Sequence, residues 1–62
     1  MREVVIGQYT IQIEEVYDND NELMHYKVHS PLFDGKCFRV LTEDEITESK
    51  ISEYIYILEN FN

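Results

Sequence analysis

The 62-residue sequence predicts an α+β fold, a three-stranded antiparallel sheet followed by one C-terminal helix packed on it, in a single domain over residues 1–62. Three observations carry this. Apolar residues alternate with polar ones in "YTIQI" and again in "MHYKV", and the acidic segment "DNDN" separates the two runs. Thr42 and Glu45 in "TEDE" have the spacing of a capping box, which marks a helix start. The tail "ISEYIYILENF" then concentrates apolar side chains that a helix can gather on one side.

The elements follow in order. In "VVIGQYTIQIEEVY", residues 4–17, Tyr9, Ile11 and Ile13 share one parity, the period of a half-buried strand. Val5 and Tyr17 fall on that inward parity, while Val4, Ile6 and Val16 break it, so bulges are expected at Gly7 and at Glu14-Glu15. "DNDN", residues 18–21, is a turn, because Asn and Asp tolerate left-handed backbone and bond locally. "ELMHYKVHS" forms the second strand and completes a hairpin. Pro31 ends it, Asp34-Gly35 turns the chain, and "KCFRVL" is the third strand, with Phe38 and Val40 facing one way. From Thr42 nothing interrupts a helix as far as Asn62. Its stripe is Ile51, Tyr54, Ile55 and Leu58, widened by Ile57 and Phe61. A fourth strand over "EYIYIL" competes on β-propensity, but the capping box requires a helix to cap.

Composition narrows the function. Thirteen Asp and Glu against five Lys and Arg give a net charge of −8 and a pI near 4.4. Nucleic acid and anionic membranes are repelled by such a chain, so a basic protein partner is expected. With 44% apolar residues the chain is too hydrophobic for the disordered class. No apolar run approaches the ~18 residues of a membrane span, and Glu3 interrupts "MREVVIG" at once, so a cytoplasmic location is expected. Cys37, the single cysteine, cannot form an intrachain disulfide and is read as a small buried apolar residue. A domain this small needs a staple. A homodimer through Ile51, Tyr54, Ile55, Leu58 and Phe61 is the expected one.

No catalytic constellation emerges. His25 and His29 lie four residues apart on one strand face, about 13 Å at the strand rise, too far for one metal ion. Paired carboxylates need a cleft to act as acid and base, and Cys37 with His29 lacks any hydrolase signature. Gly7 and Gly35 are the only glycines, so there is no phosphate loop. The chain is therefore expected to be no enzyme, with neither metal nor cofactor.

The acids group around the hairpin turn (Glu14, Glu15, Asp18, Asp20, Glu22) and around the predicted helix start (Glu43, Asp44, Glu45, Glu48). Spaced carboxylates can occupy a protein groove built for phosphates. The expected partner-binding residues are Glu14, Asp18, Asp20, Glu22, Phe38, Glu43, Asp44, Tyr54 and Ile57.

From about Tyr9 to Ile46 the chain resembles the short, acidic, dimeric uracil-DNA glycosylase inhibitors encoded by some Bacillus phages. The residues that carry this are "YTIQI" entering an acidic turn, Tyr26 and His29, and "FRVL" before "TEDEI", in which Phe38, Val40, Leu41, Thr42, Asp44, Glu45 and Ile46 match the family pattern. The sequence departs from it at Lys27, where the family has an acid, and by a short deletion with loss of an aromatic after Leu41. The resemblance implies a DNA-mimic inhibitor acting in the host-cell cytoplasm. Its homodimer would present a hydrophobic cleft, with Phe38 in it, to the apolar side chain that the glycosylase inserts into DNA. The same device could be aimed at a CRISPR effector, a restriction enzyme or a nucleoid protein. A different class of function, an interaction module docking through its apolar helix, is separated from mimicry by its weak response to salt.

Overall fold

The computed structural model describes residues 1–60. It contains an antiparallel sheet of four strands, β1 (Arg2–Ile6), β2 (Tyr9–Tyr17), β3 (Leu23–His29) and β4 (Cys37–Val40), in the order β1-β2-β3-β4. One helix, α1 (Glu48–Asn60), follows, and single 3-10 turns occupy Pro31–Phe33 and Glu43–Glu45.

The fourth strand corrects the expected three, and Gly7 is the reason. Its φ of +60° belongs to a turn, not a bulge, and Ile6 pairs with Tyr9 across it. A two-residue hairpin turn with glycine in its first position suits the twist of the strands it joins. The reversal also inverts the reading of the faces. Val4 lies opposite Ile11 and Ile6 opposite Tyr9, so both turn inward, whereas Val5 is 67% exposed. The register shift falls between Val16 and Tyr17 and not at Glu14-Glu15, and Tyr17 beyond it is exposed.

The capping box forms, but around a shorter element than expected. The Glu45 carboxylate accepts the N–H groups of Leu41 and Thr42 at 2.8 and 3.0 Å. The helix does not continue, because Ile46 leaves helical geometry (φ −86°, ψ 88°) and drives its side chain into the core at 6% exposure. Thr47 then caps α1, its Oγ1 accepting the Lys50 N–H at 3.2 Å. Thr47→Ala is expected to lower stability by about 1 kcal/mol. An unchanged urea midpoint would show that α1 needs no cap.

The N–H groups of Thr42 and then Leu41 hold the Glu45 carboxyl below its ordinary value of 4.5, against a smaller loss of hydration. A carboxyl whose folded value is depressed stabilises the fold fully above 4.5, and that contribution disappears as pH falls through the lower folded value. The melting temperature should therefore fall on acidification in that window, and less steeply for Glu45→Gln. Parallel pH profiles for the two proteins would exclude this role.

The core consists of Ile11, Ile13, Val28, Phe33, Phe38, Val40, Ile46 and Ile51, and Val4, Ile6, Tyr9, Tyr26, Tyr54, Ile55 and Leu58 pack against it. The apolar tail is thus helix, and its stripe is covered by the chain's own sheet. Phe33 stands at the centre, fully buried, with Phe38 and Tyr54 at ring distances of 5.3 and 5.2 Å.

Candidate functional site

The strand directions bring the two acidic groups to one end of the sheet. β2 runs into the turn at residues 18–22 and β3 runs out of it. β4 is antiparallel to β3, with Cys37 opposite His29 and Val40 opposite Tyr26, so it leaves the sheet at that same end. The 3-10 turn Glu43–Glu45 follows immediately. It reaches across to the far edge, where Glu43 pairs with Arg2 at the start of β1.

Local chemistry shapes this end. Both the Asp20 and the Glu22 N–H groups donate to Asp18 Oδ1, at 2.8 and 3.0 Å, and Asn21 takes the left-handed conformation at φ 62°. Tyr17 donates to Glu15, and that carboxylate holds the Tyr17 hydroxyl above its ordinary range. The carboxylates of Asp20, Glu22 and Asp44 have no hydrogen-bond or ion-pair partner among the described residues. All three are exposed.

Other expected partner-binding residues lie elsewhere. Glu14 is on the sheet face away from α1, where it meets His29 Nε2 at 2.9 Å. Glu48, an acid of the second group but not one of the expected contacts, lies against Gly7 at the opposite end of the sheet. Phe38 is only 7% exposed, with its ring 4.5 Å from that of Tyr54, so it packs the core and lines no accessible cleft. No cleft opens among the described residues. Tyr54 is tied inward as well, its hydroxyl donating to the Cys37 carbonyl at 3.0 Å.

The stripe expected at a dimer interface serves the protomer's own core. Ile51 is fully buried, and Tyr54, Ile55 and Leu58 pack on the same core, because the sheet offers one apolar face and α1 has one stripe to cover it. Phe61 lies outside the described residues. What α1 leaves outward is Tyr56, 60% exposed, and Ile57, 42% exposed. Tyr56 stood outside the expected partner-binding set, and its place one position behind the Ile51–Tyr54–Ile55–Leu58 stripe was the available signal of its exposure.

The polar face of the sheet carries the histidines. Cys37 is half-buried and stands directly opposite His29, itself bonded to Glu14. His25 Nε2 is enclosed without a hydrogen-bond partner. An enclosed, unpaired polar atom costs about 1–3 kcal/mol, so His25→Leu is expected to raise the urea midpoint. A clear fall would mean that the ring finds a partner in solution. No three His, Cys, Asp or Glu side chains converge as a metal site among the described residues. No helix is long and apolar enough to cross a membrane among the same residues.

Comparison of the chain with family models, with curated proteins and with solved structures yields no match.

Proposed function

We propose that the chain is an acidic inhibitor that imitates nucleic acid, entering the DNA-binding groove of a basic protein with the carboxylate-rich end of its sheet. The observation that carries this reading is that the residue 18–22 turn and the residue 43–45 turn lie toward the same end of the sheet, with Asp20, Glu22 and Asp44 free of internal partners among the described residues. Carboxylates held on a rigid sheet end stand in for phosphates without the cost of ordering a flexible segment. Uracil-DNA glycosylase is the first target, through the resemblance over Tyr9–Ile46. Because Phe38 is buried, charge and the exposed rim carry the contact in place of a Phe38 cleft.

The test is uracil release from a uracil-containing oligonucleotide by a bacterial uracil-DNA glycosylase, titrated with this protein. Loss of activity near a stoichiometric ratio is expected. The triple variant Asp20→Asn, Glu22→Gln, Asp44→Asn should weaken inhibition about tenfold, taking roughly 0.5 kcal/mol for each exposed pair. Full glycosylase activity at large excess would overturn this target, and the same titration against a restriction enzyme or a CRISPR effector would then identify another basic groove.

A second reading rests on Tyr56 and Ile57, which α1 presents outward. An interaction module docking through them would keep its affinity at high salt and lose it with Tyr56→Ala, whereas mimicry weakens as salt rises.

A further inference from the structure

The sheet face away from α1 is not acidic, although the chain is. Of five Lys and Arg and two His in the sequence, Lys27, Arg39, His25 and His29 all stand on this one face. The register requires it. Lys27 lies directly opposite Arg39, and His25 and His29 flank Lys27 two positions away on the same strand. Like charges facing each other across strands are unfavourable. Glu14, opposite Lys27 on β2, could neutralise the pair, yet its carboxylate goes to His29. Neither Lys27 nor Arg39 has an ion-pair partner among the described residues.

The complementary surface is on the same molecule. The residue 18–22 turn leads into β3, and its Asp20 and Glu22 carboxylates have no internal partner among the described residues. They cannot reach Lys27 in their own chain, because five residues of extended strand set Glu22 and Lys27 about 16 Å apart. A second copy can. When two of these faces meet around a two-fold axis, the turn of each lies over the Lys27–Arg39 pair of the other. The axis then passes midway between residues 22 and 27, beside the opposed pair Val16 and His25, both half-buried. The contact has a half-buried centre and two identical charged ends, as a two-fold interface requires.

We infer that this open face, centred on Val16 and His25, is the self-association surface of the protein, with Asp20 and Glu22 of each copy against Lys27 and Arg39 of the other. It replaces the helix stripe, which the protomer already covers. The area is small, because four strands at ~4.8 Å spacing make a face only about 15–20 Å across. Such an interface belongs to the weak, salt-sensitive class. It does not depend on the inhibitory reading. A basic target that takes the acidic end would displace the second copy.

The test is sedimentation equilibrium on the whole chain at concentrations from micromolar to millimolar, in dilute buffer, with circular dichroism to establish that each variant is folded. The parent should show a mass rising toward two chains. Lys27→Glu with Arg39→Glu should sediment as one chain, as should Asp20→Lys with Glu22→Lys, whose substitutions lie in an exposed turn and leave the sheet intact. An equimolar mixture of the two double variants should regain the two-chain mass, because one charged end is then as in the parent and the other is complementary with its signs exchanged. A parent mass of one chain throughout would overturn the proposal. So would a folded Asp20→Lys, Glu22→Lys variant that still dimerises, or a mixture that stays at one chain while each variant is folded. None of these outcomes bears on glycosylase inhibition, which is read separately.

Discussion

Phe33→Ala is expected to remove most of the chain's stability at 25 °C. Phe33 is fully buried, and it is the residue on which β4 and α1 meet, through rings 5.3 Å away on Phe38 and 5.2 Å away on Tyr54. Truncating a buried phenylalanine costs about 3–5 kcal/mol, from lost transfer free energy and from the cavity left behind. A domain of this size has roughly 3–9 kcal/mol in total at the usual stability per residue, so most of the margin disappears. Far-UV circular dichroism against urea reads the result directly. Leu32→Ala next door is the control, since Leu32 is 56% exposed, and it should shift stability by no more than ~0.5 kcal/mol. A cooperative transition for Phe33→Ala near the parent midpoint would remove Phe33 from the centre of the fold.

Gly7→Val is expected to be the next most damaging change. Its φ of +60° is open to glycine and strained for a β-branched residue. That strain alone is worth about 1–3 kcal/mol. A side chain there also meets Glu48, whose Oε2 lies 1.3 Å from the position a Cβ would take. The carboxylate is the far end of a flexible side chain and can swing away, so the collision adds less than the backbone strain. Glu48→Ala in the same background separates the two contributions, because it relieves the collision and leaves the strain. Gly35→Ala supplies a second comparison, with φ +79° and no atom within 4 Å of the added Cβ, and should cost about 1 kcal/mol. Equal stability of parent and Gly7→Val would mean that the β1–β2 hairpin does not turn at this residue.

Much of the site and fold was open to local reasoning, and what was missed had a physical cause. Val4 and Ile6 stood on the wrong parity for one continuous strand. That break is the mark of a two-residue turn, in which Ile6 comes to face Tyr9, and Gly-Gln supplied its chemistry. Phe33 sat in a segment read as a connection, since a single aromatic between Pro31 and Asp34 has no period to place it inside or outside. Thr42 and Glu45 signalled a cap correctly, because a cap is a bond between near neighbours. The burial of Ile46 decided that the helix behind it would start afresh at Thr47. Phe38 was given to a cleft, and the rings of Phe33 and Tyr54 claimed it instead.

The α+β class, the inward faces of β2, β3 and β4, the turn at residues 18–21 and the helical tail were legible along the chain, because they are properties of neighbours within a few positions, and the acidic balance follows from composition. Tertiary packing was needed to show that the apolar stripe of α1 is consumed by its own sheet. It alone brought Asp20, Glu22 and Asp44 to one end of the sheet and set Lys27 against Arg39 on the other face. Those placements depend on strand register and chain direction. Register is settled by which apolar faces can be buried together, and charges carried along with it take the positions that burial leaves them.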